Sequence, residues 1–359
     1  MKFEARFNLS KGDFTLTSQL STSISGVTGL FGTSGSGKTT FLRCLAGLEQ
    51  NSQGYISVAD DIWQDDSKGI FLPPHQRPVG LVFQESRLFE HLNVADNLLF
   101  GRQRSKIKND SISWDVVVEI LELGNLLKRY PQGLSGGEQQ RVAIGRAILT
   151  NPKMLIMDEP LASMDQTGSR RILSFILSLQ NQLQIPILHV SHNMGEILQL
   201  ADFLAIMEQG KIIATGPVGD MITRLDLPLA HRNDASTVLT AKVVNHDPAY
   251  HLSTLEFGYP TQTLYIANNN LTIGENVRVR IFARDVSLTL DHPNNTSILN
   301  LFTAEVDEIS NQNPAQYMVK LMVGNNPILA RITKKSLEAL AIKKGLSLIA
   351  QVKSIALER

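Results

Sequence analysis

The sequence predicts an α/β domain followed by a β-rich region, and three observations carry that reading. Residues 1–230 alternate short apolar runs with helical patterns. Gly32–Thr39 fits G-x-x-x-x-G-K-[ST] directly after one such run. Around residues 231–236 the apolar pattern stops, and strand-like segments then take over.

The elements follow in order. Val27-Thr28-Gly29-Leu30-Phe31 leads into the glycine-rich loop, and Thr39–Leu48 reads as the helix behind it. Pro78–Phe83, Met154–Met157 and Ile187–Val190 are apolar runs bounded by turn residues, as buried parallel strands are. Helical patterns separate them, notably Trp114–Leu123, Glu138–Leu149 and Arg170–Leu183. Beyond the break, Thr237–Val244, Ser253–Phe257, Thr263–Ile266 and Asn276–Ile281 suit strands, and Lys334–Ala341 is the one good later helix.

This last third repeats itself. Leu239-Thr240-Ala241-Lys242-Val243 matches Phe302-Thr303-Ala304-Glu305-Val306, Pro248-Ala249-Tyr250 parallels Pro314-Ala315-Gln316-Tyr317, and Gly258 and Gly274 parallel Gly324 and Gly345. The reading is two small OB-like barrels in tandem; chance likeness of two Val/Thr-rich segments is the competing one. The expected domains are 1–233, 234–291 and 292–359.

Composition narrows the class. At 359 residues the chain can hold two or three cores. Lys+Arg and Asp+Glu both number 34, which argues against a dedicated nucleic-acid coat. The single Cys44 excludes an internal disulfide, fits a reducing compartment and reads as a buried structural thiol. Charges interrupt the N-terminus, so no signal peptide is expected, and no apolar run approaches the ~20 residues that span a bilayer.

The chemistry sits in four places. In the loop Gly32, Thr33, Ser34, Gly35, Ser36, Gly37, Lys38 and Thr39, with Thr40 behind it, glycines allow the turn and backbone N–H groups approach phosphate. Lys38 follows the β and γ phosphates of ATP or GTP, and the Thr39 hydroxyl is placed for Mg2+. Asp158 and Glu159 end an apolar run, at the carboxyl edge of a parallel sheet. Asp158 would hold Mg2+ through water, and Glu159 would polarise the attacking water.

Ser135-Gly136-Gly137-Glu138 has the spacing of a capping box. Capping alone does not need two glycines, and bare N–H groups at a positive helix end make a second phosphate site. Gln84 and His192 each follow a buried strand; singly, each reads as an ordinary surface side chain. His189, inside its apolar run, reads as structural.

Taken in order, phosphate loop, Leu134-Ser135-Gly136-Gly137-Glu138-Gln139-Gln140 and Leu155-Ile156-Met157-Asp158-Glu159, the chain resembles the ATP-binding-cassette family. The resemblance implies an α/β P-loop NTPase of the cassette ATPase kind, with ATP and Mg2+ as cofactors. It also implies a homodimer packed head to tail, in which Ser135 and Gly137 of one copy cover the ATP of the other. Gln84 then looks like the family's Q-loop glutamine, contacting Mg2+ and reporting to a membrane partner, and His192 like its switch histidine on the γ-phosphate. Leu161-Ala162-Ser163-Met164-Asp165 looks like the D-loop, whose Asp165 supports the opposing site. Phe14 is the candidate for stacking on adenine, with core packing as the alternative.

The likeness is nearest to the ATPase subunits of bacterial molybdate importers. It is carried by Gly69–His75 with Arg77, by Val82–Phe89, and by Ala283–Leu288 followed by Thr296–Asn300, which looks like entry to a molybdate-binding-type (Mop) domain. Leu299 departs from the pattern, standing where oxyanion-binding Mop domains have arginine. The resemblance implies ATP hydrolysis that powers molybdate import through a separate membrane permease dimer, served indirectly by a periplasmic or extracellular solute-binding protein. It places the chain peripherally on the cytoplasmic face of the bacterial inner membrane, with no nucleic acid as partner. Sulfate, phosphate, iron or sugar import, or a soluble cassette ATPase not coupled to transport, are the alternatives. Arg87–Phe100, with Leu88, Phe89, Leu92, Val94, Leu98 and Leu99, is the expected permease contact, helical core being the competing reading. The barrels are expected to be regulatory or dimer-supporting, with Ser297, Lys334, Ser336 and Lys353 as conceivable anion donors.

Overall fold

The computed structural model describes all residues except 1, 24, 105–111, 163, 268–269 and 359. Two compact units divide the chain, Met1–Pro217 and Val218–Arg359. The division falls earlier than the expected residue 233, because Val218–Thr223 forms a helix that packs on a strand of the second unit.

The first unit runs β1 (Lys2–Lys11), β2 (Phe14–Ser23), β3 (Val27–Phe31), α1 (Lys38–Leu45), β4 (Gln53–Val58), β5 (Asp61–Asp65), β6 (Ile70–Phe71) and β7 (Val79–Val82). It continues α2 (Val94–Arg102), α3 (Trp114–Ile120), α4 (Gly136–Ile148), β8 (Met154–Asp158), α5 (Gln166–Leu183), β9 (Ile187–Ser191), α6 (Met194–Leu200), β10 (Phe203–Glu208) and β11 (Lys211–Pro217). The central sheet has the order β11-β10-β3-β9-β8-β7, parallel except at β11. A second, antiparallel sheet, β2-β1-β4-β5-β6, was not among the elements predicted from the sequence.

Strand alternation builds the core. Along β8, Leu155 and Met157 pack with the helices, whereas Met154 and Ile156 pack with Phe41, Leu42 and Leu45 of α1 and with Phe3, Phe7 and Trp63 of the antiparallel sheet. All four residues are at most 1% exposed, which is why β8 reads as a continuous apolar run. α1 is thereby held rigidly between layers, with its first turn at the sheet's carboxyl edge.

The second unit opens with α7 (Val218–Thr223), then β12 (Ser236–Asp247), β13 (Leu252–Phe257), β14 (Gln262–Ile266), β15 (Asn276–Phe282) and β16 (Val286–Thr289). There follow β17 (Asn300–Asn313), β18 (Gln316–Val323), β19 (Asn326–Thr333), α8 (Lys334–Ala339), β20 (Ser347–Val352) and β21 (Ala356–Glu358). Two sheets form, β14-β13-β12-β15-β21 and β16-β20-β17-β18-β19.

The repeat in the sequence is a repeat of topology. β12 pairs with β13 and β15 as β17 pairs with β18 and β20. The register shifts between Val243 and Asn245 in one copy and between Val306 and Glu308 in the other. All four paired glycines have positive φ, from +57° at Gly324 to +90° at Gly274. The copies are not separate, however. β16, which follows the first copy, pairs with β20 of the second, and β21, which follows the second, pairs with β15 of the first. One apolar cluster runs through both, with Phe257 and Phe302 edge to face at 5.5 Å.

Candidate active site

Four neighbouring parallel strands deliver the chemistry at their carboxyl ends. β3 leads to the phosphate loop, β8 ends at Asp158 with Glu159 beyond it, β9 precedes His192, and β7 leads through Phe83 to Gln84. That edge is where an α/β sheet binds ligands.

The loop is shaped by close approach. Gly37 has φ +103°, and a Cβ there would lie 2.6 Å from Phe14 Cζ. A Cβ on Gly32 would fall on Met207 O and Ser36 Oγ. Lys38 Nζ donates to Gly32 O at 2.8 Å and Thr33 O at 3.0 Å, and stands 3.4 Å from Glu159 Oε1. Glu159 Oε2 lies 2.8 Å from His192 Nδ1. Its backbone is left-handed, φ +46°, with the amide donating to Val190 O at 3.0 Å. The sheet thus holds Glu159 in a strained conformation that aims its carboxylate at Lys38 and His192.

Thr39 Oγ1 donates to Asp158 Oδ1 at 3.2 Å. Burial raises the Asp158 carboxyl above its ordinary value; the Thr39 bond opposes that and the nearby Glu159 charge adds to it. A cleft of about 260 Å³ opens here, lined by Phe14, Ser34, Gly35, Gly37, Lys38, Thr39, Thr40, Gln84 and Glu159. Gln84 also lines an adjoining cleft of about 240 Å³ with Thr39 and Asp158.

The other expected residues stand elsewhere. Ser36 is buried rather than in the cleft lining. Ser135 caps α4: the Ser135 N–H donates to Glu138 Oε2 at 2.8 Å, and the Glu138 N–H donates to Ser135 Oγ at 3.4 Å. Among the described residues, nothing beyond the chain neighbours and the helix's own backbone lies within 4 Å of a Cβ built on Gly136 or Gly137. Asp165 caps α5 by accepting from the Gly168 N–H at 2.8 Å. Neither Ser135, Gly137 nor Asp165 lines the cleft; Ser163 lies outside the described residues.

Two expectations for the permease contact are corrected. Val94 and Leu98 are fully buried in the core with Leu121 and Ile144, so they cannot meet a partner. Leu88, Phe89, Leu92, Leu99 and Phe100 keep part of their surface. Sequence reasoning also missed Arg146 and Asn97, which shape the loop after Gln84. An arginine inside the apolar α4 pattern was the available signal.

A glycine-rich phosphate loop, an acidic pair on the next strand but one and a histidine between them define a nucleotide-hydrolysing machine of the cassette type. Residues 17–162 match the ABC transporter family and residues 296–357 the TOBE domain. The chain is 46% identical over 349 residues to the molybdenum import ATP-binding protein ModC of Albidiferax ferrireducens, covering 97% of this chain and 94% of that one. The ModC of Pseudomonas fluorescens is 44% identical, with 99% of both chains covered. Among solved structures, a nucleotide-free ATP-binding cassette from an ABC transporter aligns with TM-score 0.54 at 26% identity, over 64% of this chain and 96% of that one. The cbiO1 protein of Clostridium perfringens, part of the ABC transporter complex cbiONQ, aligns with TM-score 0.53 at 27% identity, over 61% and 89%. The chain belongs to the family of molybdenum import ATP-binding proteins, within the ABC transporter ATPases.

Proposed function

We propose that this chain is the ATP-hydrolysing subunit that drives molybdate import through a separate membrane permease. The observation that carries the reading is the Lys38–Glu159–His192 chain of contacts on the cleft, in a protein with ModC relatives over nearly its whole length.

ATP lies with its phosphates on the loop amides, and Lys38 turns to the β and γ phosphates. The adenine stacks on Phe14, at the cleft's rim. Glu159 accepts a hydrogen bond from the attacking water, whose oxygen bonds to the γ-phosphorus as the bond to ADP breaks. His192, tied to Glu159, contacts the γ-phosphate from the far side. The hydroxyl of Thr39, the carboxylate of Asp158 and the Gln84 amide oxygen are hard donors of the kind Mg2+ takes, and they would hold it. Bound there, Mg2+ would neutralise charge on the phosphate oxygens.

Gly136 and Gly137 support a homodimer. Among the described residues a Cβ at either would meet nothing beyond its chain neighbours and its own helix, so their bareness suits a ligand brought by another copy. Ser135 and Gly137 then cover the partner's ATP, with Asp165 at the same interface. The Gln84 loop and the exposed parts of Leu88, Phe89 and Leu92 face the permease. The subunit sits peripherally on the cytoplasmic face, where the permease is met; no helix among the described residues is long and apolar enough to cross a membrane. The solute-binding protein acts through the permease.

The test is Glu159→Gln. The variant should bind ATP, stop hydrolysis and accumulate as a dimer in size exclusion with Mg-ATP. A persistent monomer with ATP bound would sink the head-to-tail arrangement. Uptake of radiolabelled molybdate by cells whose only such ATPase is this chain checks the substrate, and uptake unaffected by Lys38→Ala would refute the coupling.

A further inference from the structure

The loop after Gln84 is strapped by side chains of two helices, α4 and α2. Arg146, on the last turn of α4, donates from Nη1 to Arg87 O at 2.9 Å and from Nη2 to Ser86 O at 3.1 Å, and its guanidinium stacks on Phe89 at 5.3 Å. Two turns nearer the N-terminus, Gln140 Nε2 donates to Phe83 O at 3.4 Å, and Gln139 Oε1 accepts from Ser86 Oγ at 3.2 Å. The loop backbone is bent to meet them, with Arg87 at φ +44°. From the opposite side the fully buried Asn97 accepts from the Phe89 N–H and donates to Phe89 O.

Arg146 is an expensive way to hold a loop. Among the described residues it makes no ion pair, and burial pushes its guanidinium below the ordinary range. An apolar residue would fill the same space without burying a charge, but would leave the Ser86 and Arg87 carbonyls without this donor. What the fork adds is direction, because two parallel donors fix two successive carbonyls at once. The same helix begins at Ser135, about 16 Å away at 1.5 Å per residue. It is therefore a rigid rod with the Gln84 loop strapped to one part and the bare glycines at its end.

We propose that Arg146 is a positioning residue that makes the Gln84 loop and the Ser135–Gly137 helix end move as one body. The nucleotide state at one cleft, felt by Gln84, then sets the aim of the helix end presented to the partner's nucleotide. This rests on the head-to-tail dimer proposed above. Gln139 and Gln140 are auxiliary straps.

The test uses the full chain carrying Glu159→Gln, alone and with Arg146→Met or Arg146→Lys. A fluorescent ATP analogue in EDTA reads nucleotide affinity of the monomer; size exclusion with light scattering in Mg-ATP reads dimer formation against protein concentration. Arg146→Met should leave monomer affinity within about twofold and weaken dimerisation by about tenfold or more, as losing hydrogen bonds from a charged donor implies. Arg146→Lys should fall between Met and the parent, because the ammonium keeps the charge but cannot fork. If Arg146→Met does not fold, Arg146→Lys decides alone, by weakened dimerisation at unchanged monomer affinity. Equal dimerisation of parent and variants overturns the proposal and leaves the dimer standing. Equal loss of monomer affinity and dimerisation also overturns it, by showing a merely structural role. A parent that never dimerises removes the head-to-tail reading and this proposal with it.

Discussion

Gly37→Ala probes the phosphate loop where its geometry is tightest. Gly37 precedes Lys38 at φ +103°, ψ 7°, as the N-cap of α1. Two separable costs follow. An L side chain in that sparsely populated region is strained by about 1–3 kcal/mol. The new methyl also meets Phe14 Cζ at 2.6 Å, against 3.5 Å for the next neighbour, Gly210 Cα. Phe14 is only partly buried and can swing away, which limits that part to about 1–2 kcal/mol. The sum is roughly 2–5 kcal/mol. A double-mutant cycle separates the parts, since Phe14→Ala removes the ring and leaves the backbone strain. Urea unfolding of the nucleotide-free protein, read at constant m, should show Gly37→Ala costing about 1 kcal/mol less in the Phe14→Ala background. Equal cost in both backgrounds would refute the contact. A cost under about 0.5 kcal/mol in both would refute the backbone argument.

Three further outcomes are expected. The Cys44 thiol is pushed up to about 11 by burial, so iodoacetamide at pH 8 should label it only after unfolding; rapid native labelling would contradict its packing. The Ser135 N–H holds the Glu138 carboxylate below its ordinary value, so the stability this bond gives is present above about pH 4.5 and is lost as pH falls through the lower folded value. Glu138→Gln should therefore be less stable than the parent at pH 7, with the gap closing in acid; a gap constant down to pH 2 would refute the linkage. A chain ending at Pro217 should keep basal ATPase activity, whereas residues 292–359 alone should show no cooperative unfolding by circular dichroism, because they lack β15 and β16.

The catalytic strands were legible because they are buried on both faces. β3, β8 and β9 are buried at every position, and the cleft residues Asp158 and Glu159 stand where the apolar run of β8 stops. The antiparallel sheet was missed although β1 carries a strand signal: Phe3, Ala5, Phe7 and Leu9 are buried and alternate with more exposed polar residues, the period-2 pattern of a half-buried strand. Nor could sequence separate Val94 and Leu98 from their exposed neighbours. α2 is apolar on several faces, and only its packing on α4 decides which residues remain outside. Arg146 escaped because its partners are backbone carbonyls, which carry no sequence signature.

The second unit shows how a local repeat can hide a non-local design. Each copy supplies four strands of one sheet and lends its last strand to the other. The exchange explains why the two copies share one core, and it turns a cut at residue 291 into the loss of an edge from both sheets. Leu299 bears on what the unit does. It is 58% exposed and stands beside Asn300, which accepts from the Tyr265 N–H at 2.7 Å and donates to Tyr265 O at 3.0 Å. Asn300 thus joins β17 to β14 across the two sheets. Two of the conceivable anion donors are engaged: Ser336 in the cap of α8 with Thr333, and Lys334 with Glu338 at 3.8 Å. At those two an oxyanion would have to displace contacts that already have partners, and Leu299 offers it no donor. That balance favours a structural role, and micromolar molybdate binding by residues 218–359 in calorimetry would reverse it.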